Sequence, residues 1–265
     1  MYTELDEITP QLKKAIIHKE DKYFRYHVGV NPLAVARALF NNIIKGRRTS
    51  GASTITMQVA RLLSPKNRTV GNKVVEMFRA LQLEMYYSKD EILQMYLNLV
   101  PYGGNIEGVK AASVLYFQKA PDHLSIAEIT ALSIIPNRPT SLKLGESNDL
   151  IIEERNKWLR RFQKDRLFPE QDILDAIDEP INARRTESPK WAPHFCYRMR
   201  SKFAGRPIVK TRLNLEKQRK VQHLVKNHVR RLYSWNIKNG AAIVINNEPK
   251  AVEAYIGSAD FNNPE

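Results

Sequence analysis

The sequence predicts a mainly α-helical domain followed by a linker and the opening of a smaller α+β unit. Three observations predict it. Apolar residues recur at three- and four-residue spacing through the first two thirds, helix-start signals stand at Asn31-Pro32, Ser88 and Ser125, and a strand-turn-strand pattern follows residue 240. The expected boundaries are 1–170 for the helical domain, 171–210 for the linker and 211–265 for the second unit.

The elements follow in order. Asn31 is an N-cap with Pro32 at the first helical position, opening an apolar series through Leu33, Ala36, Leu39, Phe40 and Ile43 that Gly46 stops. Val70, Val74, Met77, Leu81 and Met85 keep helical spacing, so Lys73, Glu76 and Ala80 share a different stripe, and position 76 is not an obvious core position. Ser88 with Glu91, and Ser125 with Glu128, form capping boxes, and Pro136 closes the second of these helices. Leu150, Ile151, Trp158, Leu159 and Phe162 mark a basic amphipathic segment over 150–167. From Glu179 to about Arg206, Pro180, Pro189, Pro193 and, just beyond, Pro207 interrupt any period, which reads as linker. A helix over 214–233 precedes two strands, 241–245 and 251–256, joined at Asn246-Asn247-Glu248-Pro249.

Composition sets limits on function. With 265 residues, 43% of them hydrophobic, the chain buries one good core with room for a second small unit. Lysine and arginine number 42 against 28 acids, a net charge of +14 that attracts polyanions. Nucleic acid, anionic headgroups and pyrophosphate esters all qualify, and charge does not choose among them. The single Cys196 excludes an intramolecular disulfide, and no Cys/His cluster has zinc spacing. No apolar run has the length needed to cross a bilayer, and Met1 to Asp6 carry acids rather than a basic signal-peptide start.

Three segments carry chemistry. In His18 to Gly29, Glu20, Phe24 and His27 are spaced to share one helical face, and a carboxylate beside an aromatic is suited to accept a proton near neutral pH. On this stretch alone, solvated acids beside a core phenylalanine are the plainer account. In Gly51 to Arg61, Ser53, Thr54, Thr56 and Gln58 stand at a loop-to-helix start that favours an anion, with Ser53 as a simple N-cap the plainer account. Arg61, Lys66, Arg68 and Lys73 follow closely, and fixed cations are what a departing pyrophosphate needs, though a charge run is usually a solvated face. Lys89 to Phe117 reads mostly as core, with Gly103-Gly104 as a helix break. The stretch after Gly29, with Leu39, Phe40, Ile43 and Ile44 beside Lys45, Arg47 and Arg48, suits either a core helix or one lying in a lipid interface.

Taken in order and spacing, these segments resemble glycosyltransferase family 51, the transglycosylase domain of class A penicillin-binding proteins, over about Leu5 to Lys143. Glu20 to Gly29 match its Glu-Asp-x-x-Phe-x-x-His-x-Gly motif, and Gly51 to Gln58 its Gly-x-Ser-Thr-Ile-Thr-x-Gln motif. Lys73 and Glu76 match its Lys-x-x-Glu, Ile92 to Phe117 its fourth motif, and Leu124 to Pro139 its fifth. Met57 and Asn72 stand where most of the family carries glutamine and arginine, and Asn137-Arg138 where it carries Gln-Ala.

The resemblance implies a lysozyme-like, all-helical fold with a cleft on the membrane surface, polymerising lipid II into β-1,4-linked glycan with release of undecaprenyl pyrophosphate. It implies Glu20 as general base and Glu76 as the second carboxylate, near the departing pyrophosphate, where it orients a basic side chain or a divalent cation such as magnesium. Asp21, Phe24, His27, Ser53, Thr54, Gln58, Arg61, Arg68 and Lys73 are the implied substrate-binding residues, with metal ligands unassigned. The implied partners are lipid II, the growing glycan strand, the membrane surface and other cell-wall synthesis proteins, at the periplasmic face of a bacterial inner membrane. Nucleic acid is not expected, because no zinc finger or RNP sequence occurs.

In the family a membrane anchor precedes this domain and a transpeptidase domain with a Ser-x-x-Lys nucleophile follows. No Ser-x-x-Lys occurs here, so peptide crosslinking is not expected and the last residues read as a cut-short start of that domain. A lysozyme-like muramidase and an inactive, basic membrane-binding fragment are the competing readings.

Overall fold

A computed structural model of the chain describes residues 1–36, 53–67, 69–138, 141–146, 148–187, 190–206 and 209–262. The chain divides into two compact units, Met1–Glu187 and Ser188–Glu265. Helix dominates the first, as expected.

Helix α1 (Pro10–Glu20) has proline at its start and buries Leu12, Ala15 and Ile16. Helix α2 (Ile55–Leu63) and helix α3 (Val70–Tyr86) pack together, and α2 also packs on helix α4 (Lys89–Leu99). A short ribbon follows, β1 (Pro101–Gly103) antiparallel to β2 (Ile106–Glu107), then helix α5 (Val109–Ala112). Helix α6 (Ile126–Ile134) is the centre of the unit. Every residue from Ala127 to Ile134 is buried, and α1, helix α7 (Asn148–Lys164) and helix α8 (Glu170–Asp178) surround it.

Both expected capping boxes form. Ser88 accepts from the Glu91 N–H and Ser125 from the Glu128 N–H, while each glutamate accepts from the cap residue's N–H in return. Asn31 Oδ1 accepts from Ala34 N–H at 3.0 Å over a helical turn at 32–36, and the rest of that expected helix lies outside the described residues.

Three expectations change. Helix α3 turns its apolar stripe outward: Val70, Val74, Leu81 and Met85 are exposed together with Phe78, and Ala80 is the residue fully buried. The face that meets protein is the one carrying Ala80 and Glu84, against which the backbone of Gly29 lies closely.

The span expected as linker, 171–210, carries most of α8 and all of a further helix, α9 (Pro193–Lys202). Residues up to 187 are tied back to the first unit. Arg184 N–H donates to the Tyr116 carbonyl at 3.1 Å and Thr186 N–H to that of Leu115 at 2.8 Å.

Gly103 and Gly104 lie in and beside the ribbon rather than simply breaking a helix.

In the second unit the expected helix and hairpin are present. Helix α10 (Leu215–Leu232) packs on β4 (Ala251–Ile256), which pairs antiparallel with β3 (Ala242–Asn246). The Gln218 amide fixes the contact by donating to the Tyr255 carbonyl at 3.1 Å and accepting its N–H at 2.7 Å.

Arg155 is the largest fully buried side chain of the first unit. Its guanidinium donates to the Ile177 carbonyl at 3.0 Å and the Glu179 carbonyl at 2.6 Å, so a cation closes the C-terminus of α8. Arg155→Met leaves these carbonyls without a donor and is expected to lower unfolding free energy by about 2 kcal/mol or more, read by urea denaturation.

His18 adds a pH dependence. Its Nε2 lies 2.8 Å from Asp165 Oδ2, and its ring meets Phe162 edge-on at 5.5 Å. Burial pulls its pKa below the ordinary 6.5 despite that carboxylate, so the unfolded chain binds the proton more readily than the folded one. Stability from His18 is therefore complete above that value and declines as pH falls below it. Thermal midpoints are expected to drop between about pH 7 and about pH 5, and less so in His18→Gln.

Candidate active site

The first helix stops at Glu20 because Asp21 leaves helical geometry, with φ −160° and ψ 77°. Phe24 and His27 therefore lie in the following turns, and the single helical face expected for Glu20, Phe24 and His27 does not form. Phe24 is fully buried, 6.4 Å edge-on from the His27 ring, with Lys89 Nζ 4.6 Å above it.

Glu20 is held differently. Its side chain is only 6% exposed, Oε1 accepts from Lys19 Nζ at 2.5 Å, and Oε2 accepts from the Gln58 amide on α2 at 3.1 Å.

Asp21 joins the same two segments. Its Oδ2 accepts the N–H of Ile55, the first residue of α2, at 3.1 Å, and lies 2.9 Å from His27 Nε2. Thr54, not Ser53, is the N-cap of α2: its hydroxyl accepts from Met57 N–H and donates to the Gly29 carbonyl at 2.5 Å. Ser53 instead accepts from Lys73 Nζ on α3 at 3.1 Å. Gly51, Ala52, Arg68 and Pro139 lie outside the described residues, as do Leu39 to Arg48.

Glu76 follows Lys73 by one helical turn and is half-buried, with no hydrogen bond or ion pair to a described residue. Arg61 stands one turn after Gln58 and is half-buried; Lys66 is exposed. Among the described residues, no group of three or more His, Cys, Asp or Glu is arranged to hold a metal ion.

Several participants gave no sequence signal. Lys19 lies between the Glu20 carboxylate and the Trp158 ring, 5.4 Å from its centroid. Tyr96 on α4 and Tyr102 on β1 are buried, with hydroxyls that have no hydrogen-bond partner among the described residues. Burial pushes both phenols far above their ordinary value, and the nearby Glu20 carboxylate pushes the same way; Arg61 opposes the shift at Tyr96. Glu84 accepts from Thr56 Oγ1 and Lys89 Nζ, each at 2.6 Å, and Lys89 also donates to the His27 carbonyl. An orphan phenol or a buried ion pair has no periodicity, so only the fold reveals it.

The transglycosylase family model matches residues 1–163, which span every group above. The chain belongs to the transglycosylase family. Its first unit is thus a peptidoglycan glycosyltransferase domain. Over 259 residues, 98% of this chain, it is 37% identical to penicillin-binding protein 1C of Escherichia coli K12, and it is 38% identical over 68% of its length to penicillin-binding protein 1A of the same organism. Penicillin-binding protein 1F of Bacillus subtilis is 28% identical over 99% of the chain. The chain spans 33%, 21% and 40% of these relatives' own lengths.

The glycine that ends the first motif has a physical reason within the transglycosylase unit. Gly29 has φ +82°, and a Cβ there would lie 2.7 Å from the Ala80 carbonyl oxygen, which is helix backbone that cannot yield cheaply. Gly29→Ala is expected to cost more than about 1 kcal/mol of stability by denaturant unfolding, and to reduce glycosyltransferase activity by displacing the loop from α2 and α3.

Proposed function

We propose that the transglycosylase unit polymerises lipid II into β-1,4-linked glycan, with Glu20 as general base. The observation that carries this is the nearly buried carboxylate of Glu20, tied by hydrogen bond to Gln58 of the second motif. Glu20 takes the proton of the acceptor sugar's 4-hydroxyl as that oxygen attacks the anomeric carbon of the growing strand. The bond to undecaprenyl pyrophosphate breaks, the configuration inverts, and negative charge builds on the departing phosphate. Lys73, with Ser53, and Arg61 supply cationic and polar groups to receive it.

Glu76, a turn from Lys73 and without a hydrogen bond or ion pair to a described residue, is the second carboxylate proposed near the departing pyrophosphate. The described residues do not build a metal cage, so no step here depends on one. A magnesium ion would find Glu76 as a single carboxylate ligand and take the rest from phosphate and water, the way this ion is commonly held.

The outward apolar stripe of α3, with exposed Leu63 at the end of α2, supports work at the membrane surface, where the substrate's lipid resides. No helix among the described residues is long and apolar enough to cross a membrane. The proposed location is the periplasmic face of the bacterial inner membrane, among other cell-wall synthesis proteins, and the second unit is proposed as the opening of a transpeptidase domain.

Glu20→Gln keeps size and the Gln58 contact but cannot accept the proton. It is expected to lower the rate of lipid II polymerisation roughly 10²- to 10⁴-fold, read by gel separation of glycan products. Undiminished polymerisation by this variant would remove Glu20 from the chemistry. Hydrolysis of finished glycan strands, with no product from lipid II, would favour the muramidase instead.

A further inference from the structure

Lys19 and Glu20 are consecutive on a helix, where side chains ordinarily diverge. Here they converge at the last turn of α1. The Lys19 side chain is 1% exposed, deeper than Glu20 at 6%. Its ammonium has the Glu20 carboxylate on one side and the Trp158 face on the other, and Trp158 is itself flanked by Arg161 at 4.8 Å and Phe162 at 5.8 Å. Among the described residues, Glu20 Oε1 is the hydrogen-bond acceptor that Lys19 has.

A buried ammonium with one anionic partner is strongly coupled to it, because removing either charge strands the other in a poorly solvated place. The pairing also divides the labour of the carboxylate. Oε1 is committed to Lys19, whereas Oε2 accepts one amide N–H from Gln58 and keeps further lone-pair capacity.

We propose that Lys19 is a positioning residue for the base: it locks Oε1 and directs Oε2 to receive the acceptor's proton. This rests on the reading of Glu20 as base. Of the other groups, Tyr96 on α4 and Tyr102 on β1 feel the Glu20 charge, and Arg61 on α2 acts on Tyr96. Asp21 turns instead to His27 and the Ile55 N–H, and His18 to Asp165. Among the described residues, Lys19 is thus the cation in direct contact with the carboxylate.

The test measures lipid II polymerisation by the full chain over a range of pH, for wild type, Lys19→Met, Lys19→Arg and Glu20→Gln. Lys19→Met keeps a side chain of similar length against Trp158 while removing the charge. It is expected to lower kcat about tenfold with little change in KM, and to move the acid limb of the kcat/KM profile upward, because the cation beside the carboxylate is gone. Lys19→Arg restores a cation and is expected to return the limb towards its wild-type position. Should Lys19→Met unfold, Lys19→Gln, neutral and still able to donate to Oε1, is expected to move the same limb. A purely packing role would leave the acid limb in place in every folded variant.

An inactive Glu20→Gln beside neutral variants with wild-type kcat and acid limb overturns the role of Lys19 alone. An active Glu20→Gln overturns the base reading and this proposal together.

Discussion

The structure of the site depends on the carboxylate of Asp21. It is the C-cap residue of α1 and also accepts the first N–H of α2, so one side chain fixes where one helix ends and the next begins. With that contact made, Glu20 at the last position of α1 and Gln58 one turn into α2 come within hydrogen-bond reach. The His27 ring on the same carboxylate closes the intervening turns. This has an electrostatic consequence. The positive end of α2 is already partly satisfied by Asp21 and by the Thr54 cap, so it has less to offer an external anion than an open helix start would. Attraction for the proposed diphosphate falls instead to side-chain cations, among them Lys73, which is anchored beside the start of α2 through Ser53.

The orientation of α3 follows from the same crowded junction. Gly29 abuts the Ala80 carbonyl, and the Thr54 hydroxyl holds the Gly29 carbonyl from the other side. Ala80 and Glu84 face this junction, while Val70, Val74, Phe78, Leu81 and Met85 are exposed. In a protein surrounded only by water such a stripe is a cost. At a membrane surface it is a means of contact, which suits the proposed lipid-linked substrate.

What could be read from the sequence was local. The capping boxes at Ser88 and Ser125, the Asn31-Pro32 start and the final hairpin all formed, because each is set by residues within a few positions of one another. The end of α1 was not legible: neither glycine nor proline marks it, and Asp21 leaves the helix for a partner 34 residues away. The proline-rich span misled for a related reason. Pro193 begins α9 rather than breaking structure, and the strand-like tail to 187 is fixed by carbonyls of residues 115 and 116. The apolar period of α3 was correct as a period, but periodicity does not say which face meets protein. Several residues with motif spacing, Glu20 with Gln58 and Asp21 with His27, are neighbours in the structure. Lys19, Tyr96, Tyr102 and Glu84 act through tertiary contacts that no spacing announces.

The charges of the site are also arranged as a sequence count would not suggest. The chain carries +14 overall, yet the interior around α2 includes balanced pairs, Lys19 with Glu20, and Lys89 with Glu84, beside the contact of His27 with Asp21. A balanced interior matters for the proposed reaction, because a proton reaching Glu20 cancels the carboxylate and leaves Lys19 as a net positive charge. In the same step negative charge builds on the departing diphosphate. The site thus becomes more positive as its substrate becomes more negative, so the attraction between them grows along the reaction coordinate rather than being spent on the bound reactant.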